Sequence, residues 1–145
     1  MNKIKIGCRD ENVNYDFRET CFGICYIDGM FYLTQKKGEI YLAGGGIEKG
    51  ENHIECLKRE FLEEIGCNIE NISELCTIDC FWITRNNKHM ESLTHIYNVN
   101  ILEKVEKTSE VESNLIKLNQ NEAIKALELP YQKKALEIFI NNLNS

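Results

Sequence analysis

Residues 45–67 read GGIEKGENHIECLKREFLEEIGC and are the most informative part of the chain. Three of its carboxylates, Glu60, Glu63 and Glu64, fall within five residues and follow a glycine-rich turn. Carboxylate oxygens suit Mg²⁺ and Mn²⁺, which usually keep several waters and accept phosphate oxygens. The pattern therefore indicates a divalent metal held beside a phosphate. The anchors of the pattern are Gly45, Glu51, Arg59, Glu60, Glu63, Glu64 and Gly66.

The same stretch predicts a helix over residues 52–65. Asn52 is a typical N-cap, and Glu55 three residues later completes a capping box. Gly66 supplies the usual stop after the last turn. Apolar residues recur at i, i+3, i+7 and i+11 and predict one buried stripe. These residues are Ile54, Leu57, Phe61 and Ile65.

The positions of three carboxylates in this helix lower its stability. Glu60 is spaced i,i+3 from Glu63 and i,i+4 from Glu64, and each such like-charge pair costs roughly 0.2–0.5 kcal/mol. They also lie in the last turns, where the helix dipole disfavours anions. A solvated acidic face is the plainer interpretation of such a run. The fixed spacing of Gly45, Arg59 and the other anchors favours a functional cluster instead.

Residues 45–67 resemble the Nudix box, Gly-x5-Glu-x7-Arg-Glu-U-x-Glu-Glu-x-Gly-U, in which U is a bulky aliphatic residue. Phe61 and Cys67 fill the two U positions and are mild departures from it. The resemblance implies an α/β fold, a Nudix-type α/β/α sandwich with a mixed β-sheet, formed by residues 1–145 as a single domain. It implies an enzyme that hydrolyses the pyrophosphate linkage of a nucleoside diphosphate derivative.

The resemblance also implies the roles of particular residues. Its metal-binding positions, with Mg²⁺ or Mn²⁺ as cofactor, are Glu60, Glu63, Glu64 and Gly45. The catalytic set is the same three glutamates with Arg59, which also looks architectural through its pairing with Glu51. The general base stays open among Glu63, Glu64, Glu110 and Glu112, and the last two are also readily explained as solvated loop residues. Gly44, Gly45 and Gly46 let the backbone approach a metal-bound diphosphate, or simply form a tight turn.

The sequence carries fewer signals for the substrate than for the reaction. In the family, a proline 15–18 residues beyond the box points to ADP-ribose and a tyrosine to dinucleoside polyphosphates, but here the region reads CFWIT. By elimination we expect a nucleoside triphosphate cleaved to monophosphate and pyrophosphate. The alternatives are ADP-ribose or another nucleotide sugar, and a non-catalytic nucleotide-binding module. Arg18 is a further expected substrate contact, and Phe81 or Trp82 could stack on the base, although Trp82 also suits the core.

Composition narrows the functional class. The 145 residues carry 43% hydrophobic residues and a net charge of −6, with no basic run. This argues against duplex nucleic acid as a partner and leaves a small-molecule nucleotide. We expect a monomer or homodimer, with no membrane partner because no stretch could span a bilayer.

The cysteines and histidines indicate the compartment and the metal chemistry. Seven cysteines lie in apolar patterns without a Cys-x-x-Cys pair, which predicts free, mostly buried thiols in a reducing, cytoplasmic location. The three histidines, His53, His89 and His95, lack the paired spacing that a zinc site would use. The sequence therefore argues against a zinc site.

The remaining elements follow from alternation, turn residues and caps. Asp28-Gly29 between two apolar runs predicts a hairpin, and Pro130 separates two final helices. A loop is expected over residues 103–114. Strands are expected near residues 4–8, 20–27, 30–34, 40–42, 68–83 and 92–102, and the final helices over 119–127 and 131–143.

Overall fold

The computed structural model describes residues 3–105 and 113–145, which contain nine β-strands and three α-helices. The strands are β1 (Lys3–Ile6), β2 (Asp16–Ile24), β3 (Tyr26–Ile27), β4 (Met30–Lys36), β5 (Glu39–Tyr41), β6 (Ala43–Gly46), β7 (Cys67–Ile83), β8 (His89–Lys104) and β9 (Ser113–Leu118). The helices are α1 (His53–Ile65), α2 (Gln120–Ala126) and α3 (Pro130–Leu143).

A five-stranded mixed sheet forms the centre, in the order β1-β7-β8-β2-β6. The pairs β1/β7 and β2/β8 are parallel, whereas β7/β8 and β2/β6 are antiparallel. A second sheet of four strands is built around β4, which pairs with β3, β5 and β9. The order places the glycine-rich β6 at an edge of the central sheet, beside α1.

Hydrophobic clusters lie on both faces of the central sheet. Cys21 of β2 belongs to the cluster beneath α1, with Leu57 and Phe61. The next residue, Phe22, belongs to the cluster beneath α2 and α3, with Leu136 among its members. Adjacent strand residues point to opposite faces, so β2 contributes to both clusters. This layering confirms the predicted α/β/α sandwich with a mixed β-sheet.

Helix α1 begins and ends where the sequence predicts. The Asn52 side chain accepts a hydrogen bond from the Glu55 amide at 2.8 Å, and Glu55 Oε1 accepts from the Asn52 amide at 2.9 Å. Gly66 ends the helix in the left-handed conformation, with a φ of 63°. The predicted apolar stripe is wrong at one position, because Ile54 in the first turn is 37% exposed.

Other predicted elements are confirmed with shifted boundaries. Asp28 and Gly29, both at positive φ, form the β3–β4 turn. Asn119 caps α2, and Pro130 occupies the first turn of α3. All seven cysteines are free, and only Cys8 is exposed. Among the described residues, no helix has both the length and the apolar character needed to cross a membrane.

Two expectations are corrected by the sheets. The three glycines of residues 44–46 are not a turn but part of β6, because their backbone pairs with β2. The predicted loop over 103–114 is wrong at both ends, because β8 continues to Lys104 and β9 begins at Ser113. The short β9 forms because β4, about eighty positions earlier in the chain, offers it a pairing edge. Residues 106–112, including the predicted base candidates Glu110 and Glu112, lie outside the described residues.

Candidate active site

Glu64 is buried against the edge strand. Its Oε1 accepts a hydrogen bond from the Gly44 amide at 2.8 Å, and its Oε2 forms an ion pair with Lys36 Nζ. The residue is only 2% exposed, and burial raises the pKa of its carboxyl to about 7. Nearby Glu60 raises this pKa further, while Lys36 and the Gly44 amide oppose the increase. A carboxylate in this setting would be stabilised by a cation.

Glu60 lies against the next glycine of β6. A Cβ added to Gly45 would lie 2.7 Å from Glu60 Oε1, so any larger residue would displace this carboxylate. Burial raises the pKa of Glu60, and Arg59 is the main opposing influence. The absence of a side chain at residue 45 therefore gives the Glu60 carboxylate its position.

Arg59 connects β6 to the carboxylates of α1. Its NH1 donates to Glu60 Oε1 at 2.8 Å and to Glu63 Oε2 at 3.3 Å, and its NH2 donates to the Gly46 carbonyl at 3.0 Å. On its other side, the guanidinium donates to the Glu51 carboxylate and lowers the pKa of that carboxyl to about 2. Glu60 and Glu63 thus share one guanidinium nitrogen and cannot point into separate environments.

A cleft of about 480 Å³ opens beside Glu64. Its lining includes three basic residues, Arg18, Lys36 and Lys37, and two tyrosines, Tyr41 and Tyr131. This lining suits a ligand that carries both anionic groups and a flat ring. The remaining lining residues are Phe22, Glu39, Leu42, Gly44, Gly45, Ser113, Leu129 and Gln132.

The structure brings most of the predicted site together. Glu60 and Glu63 share the Arg59 guanidinium, and Glu60 is close enough to Glu64 to influence its pKa. Of the predicted substrate contacts, Arg18, Gly44 and Gly45 line the cleft. Gly46 lies beside it, because a Cβ there would be 3.1 Å from the Arg18 guanidinium.

The two aromatic residues of β7 are placed differently from the expectation. Phe81 does not line the Glu64 cleft: its ring packs edge-on against Tyr15 at 5.3 Å. Trp82 points to the opposite face, as strand alternation requires, and its Nε1 donates to Ser92 Oγ at 2.9 Å. It lines a second cleft of about 350 Å³, which shares Glu39, Tyr41 and Leu129 with the first.

Several cleft residues were missed by sequence reasoning. Lys36 and Lys37 lie at the β4–β5 turn. The sequence Lys-Lys-Gly there indicates a basic turn shortly before the glycines of β6. Tyr131 and Gln132 carried no local signal, because α3 reaches the cleft only in the folded chain. Gln132 Oε1 accepts a hydrogen bond from the Leu42 amide at 2.7 Å, which anchors α3 to the entrance of β6.

The donor set fits a hard divalent cation. Glu60, Glu63 and Glu64 offer carboxylate oxygens from one helix, and the backbone of Gly45 passes beside Glu60. Two of the carboxylates are buried, and burial raises their pKa values, which a bound cation would counteract. Oxygen ligands of this type match Mg²⁺ or Mn²⁺.

Comparison with known proteins gives the family and supports the fold. The sequence model of the NUDIX domain matches residues 18–136. A NUDIX hydrolase from Nitrosomonas europaea shares the fold with a TM-score of 0.76 and 14% identity, over 88% of this chain and 90% of that chain. A MutT NUDIX hydrolase from Burkholderia pseudomallei has a TM-score of 0.62 and 22% identity, over 84% and 97%. A structure described as an ADP compounds hydrolase has a TM-score of 0.63 and 18% identity, over 88% and 73%. No curated protein matches the chain in sequence.

Proposed function

The chain belongs to the NUDIX domain family and is a hydrolase, and we propose that it cleaves the pyrophosphate linkage of a nucleoside diphosphate derivative. Its proposed substrate is a nucleoside triphosphate, and the products are a nucleoside monophosphate and pyrophosphate. One observation carries the proposal: buried Glu64 lies in the wall of a cleft whose lining includes both basic side chains and tyrosine rings.

The basic residues that line the cleft favour a triphosphate as the anionic part of the ligand. The chain has a net charge of −6, yet Arg18, Lys36 and Lys37 all line this cleft beside β6. Their positive charges would bind phosphate oxygens and stabilise the leaving pyrophosphate. The rings of Tyr41 and Tyr131 would hold the base, since stacking on an aromatic ring contributes roughly 1–3 kcal/mol per base.

Glu60, Glu63, Glu64 and the Gly45 backbone would hold Mg²⁺ or Mn²⁺. When bound, such an ion neutralises diphosphate charge and lowers the pKa of water. Arg59 keeps Glu60 and Glu63 in place, and the Gly44 amide orients Glu64.

The proton of the attacking water needs an acceptor within the site. Water attacks a phosphorus of the diphosphate, a phosphorus–oxygen bond to the leaving phosphate breaks, and the proton passes to a carboxylate. Glu63 and Glu64 are the described candidates among the four predicted bases.

A nucleotide sugar is the second candidate substrate, and the Trp82 cleft is the observation that favours it. That cleft shares Tyr41 and Leu129 with the Glu64 cleft, so a base between the two would leave room for a sugar or a second ring. The fold neighbour described as an ADP compounds hydrolase is consistent with this alternative.

The test is a substrate panel with product identification. Purified protein with Mg²⁺, and separately with Mn²⁺, is incubated with standard and oxidised nucleoside triphosphates, ADP-ribose and nucleotide sugars. Pyrophosphate with a monophosphate supports the first substrate class, and a monophosphate with a sugar phosphate supports the second. The Glu64→Gln protein, prepared identically, controls for contaminating hydrolases. Absence of Glu64-dependent turnover on the whole panel would contradict the proposal.

We also propose a cellular location, a domain organisation and an oligomeric state for the enzyme. The seven cysteines are free, and six of them are buried, which supports the cytoplasm as its location. We propose that residues 1–145 act as a single domain, in a monomer or homodimer. Size-exclusion chromatography with light scattering measures the oligomeric state directly.

A further inference from the structure

Three metal-ligating side chains meet at the beginning of α1, away from the carboxylate cluster. Glu19 of β2, His53 at the first position of α1 and His95 of β8 each offer one ligand atom, and these atoms lie within 4.8 Å of one another. The two imidazole rings are tilted by 34°, with their centroids 4.1 Å apart. Glu19 Oε2 is 2.6 Å from His95 Nε2.

Each imidazole is already oriented through its Nδ1 atom. His53 Nδ1 is 2.6 Å from the Tyr97 hydroxyl, and His95 Nδ1 is 3.3 Å from Thr77 Oγ1. A proton on each Nδ1 would be donated to these hydroxyl oxygens, which leaves the Nε2 lone pairs as ligands. Metal-bound histidines are usually held in this way by a hydrogen bond from the second ring nitrogen.

We propose that Glu19, His53 and His95 form a site for a transition-metal dication such as Zn²⁺, separate from the predicted Mg²⁺ or Mn²⁺ site. Two imidazoles and one carboxylate are a recognised zinc donor set, with the fourth position left to water. Imidazole nitrogen favours Zn²⁺ over Mg²⁺, which takes oxygen ligands. The Glu19 side chain is 42% exposed and leaves that fourth position open to solvent.

The two sites lie at opposite ends of α1. Glu60 is seven positions beyond His53, or roughly 10 Å along the helix, and Glu64 is eleven positions beyond it, or roughly 16 Å. Glu19 and Arg18 are adjacent in β2 and point to opposite faces of the sheet, so Arg18 lines the substrate cleft while Glu19 lies beneath α1. The zinc would cross-link α1 to β2 and β8, and we assign it a stabilising role.

The apo arrangement needs only a small adjustment to bind. Ligand bonds of 2.0–2.1 Å in a tetrahedron place donor atoms roughly 3.3 Å apart. The Glu19–His95 contact must therefore open slightly, and the most distant ligand atom must move inward, both by side-chain rotation. The spacing of the histidines along the chain gave no sign of this cluster, because β8 and α1 bring His95 and His53 together only after folding.

The experiment measures Zn²⁺ binding and stability in the full-length protein. Metal-stripped protein is titrated with Zn²⁺ by calorimetry in excess Mg²⁺, which occupies the carboxylate cluster, and thermal unfolding is recorded with and without Zn²⁺. We expect one site per chain and a higher Tm with Zn²⁺. His53→Gln, His95→Gln and Glu19→Gln should each weaken binding by on the order of 10²-fold and abolish the Tm increase.

Matched variants separate ligation from general damage. His89→Gln changes the other histidine of β8, which packs against Tyr15, and should bind Zn²⁺ as the unaltered protein does. Tyr97→Phe removes the partner of His53 and should weaken binding by about 10-fold or more. In the Co²⁺-loaded protein, the visible bands should lack the thiolate charge-transfer band that cysteine ligands produce.

Three outcomes would overturn the proposal. They are no Zn²⁺ binding, binding that survives His53→Gln and His95→Gln unchanged, and a Co²⁺ spectrum with thiolate bands. Glu19→Gln should keep its Mg²⁺-dependent hydrolase activity, because Glu19 is outside the catalytic set. Failure of the zinc site and failure of the proposed hydrolysis are therefore distinguishable.

Discussion

Arg59 and Glu51 form a two-pronged ion pair that fastens α1 to the segment before it. Arg59 Nε donates to Glu51 Oε2 at 2.7 Å, and Arg59 NH2 donates to Glu51 Oε1 at 2.9 Å. The same guanidinium reaches Glu60 and the Gly46 carbonyl. The pair therefore holds β6 and the carboxylates of α1 in one arrangement. Glu51 contributes to the site in this way, although it lies eight positions before Arg59 in the chain.

Replacing Arg59 with lysine tests this role. A lysine ammonium cannot hold both Glu51 oxygens and also reach Glu60, because it lacks the planar fork. Arg59→Lys should lower the free energy of unfolding by about 1–3 kcal/mol, measured by urea denaturation, and should reduce kcat as well. Arg85→Ala, which breaks an exposed pair with Glu39 and Glu128, should change stability little. Equal effects of the two substitutions would contradict this role for Arg59.

The Glu51 pair also predicts the acid limit of stability. Arg59 lowers the pKa of Glu51 from an ordinary value of 4.5 to about 2. The stabilisation is therefore fully present above pH 4.5 and is lost as pH falls towards 2. Unfolding experiments on Glu51→Gln should show a shallower loss of stability in this window than the unaltered protein shows. Parallel pH profiles for the two proteins would exclude the pair as a source of the acid sensitivity.

Local signals predicted the parts of the site that are contiguous in the chain. The capping box of Asn52, the stop at Gly66 and the glutamate spacing on α1 all follow from short-range physics, so the structure agrees with them. Glu60, Glu63 and Arg59 come together because they occupy neighbouring turns of one helix.

Parts of the site that need distant segments were not predictable. Lys36 pairs with Glu64 only because β4 and α1 pack together, and Tyr131 reaches the cleft from α3, the last helix of the chain. Phe81 and Trp82 are adjacent in β7, and the sequence does not show which face of the strand each side chain takes. β9 was missed because a six-residue strand has little pattern of its own and depends on β4.

Glu64→Gln should remove turnover while keeping the fold. The glutamine Oε1 can still accept the Gly44 amide hydrogen, so the shape of the site is retained, but the negative charge is lost. Losing a proposed metal-ligating charge should lower kcat by on the order of 10²-fold or more at saturating Mg²⁺. Steady-state kinetics measure the loss, and circular dichroism checks the fold. Undiminished kcat would remove Glu64 from the catalytic set.

Glu64 should also make the metal-free protein less stable as the pH rises. Its folded pKa is raised from 4.5 to about 7, so between these values the folded state keeps a proton that the unfolded state has lost. Stability therefore falls as pH increases through this window, with an upper bound on the order of 3 kcal/mol. Chemical denaturation in a chelator at pH 5 and at pH 7.5 measures the change, and Glu64→Gln should lack this contribution. An identical decline in both proteins would assign it to other groups.

Gly45→Ala should damage the site more than the fold. The added methyl would lie 2.7 Å from Glu60 Oε1 and 2.8 Å from Glu60 Cδ, so the flexible end of Glu60 must move away. Such a displacement of about 1 Å can cost up to about 10²-fold in rate. Stability should change by less than about 1 kcal/mol, because the atoms in conflict belong to a side chain rather than to the backbone.

Gly44→Ala provides the contrasting variant to Gly45→Ala. Gly44 has a φ of 148°, and a Cβ there would lie 2.2 Å from the Cys21 carbonyl oxygen, so the conflict involves the backbone of the central sheet. This substitution should impair folding itself, seen as a lower Tm or a loss of soluble protein. Kinetics and thermal unfolding of both variants measure the difference. A fully active Gly45→Ala protein would show that Glu60 does not need its position beside β6, and would remove it from the proposed metal-binding set.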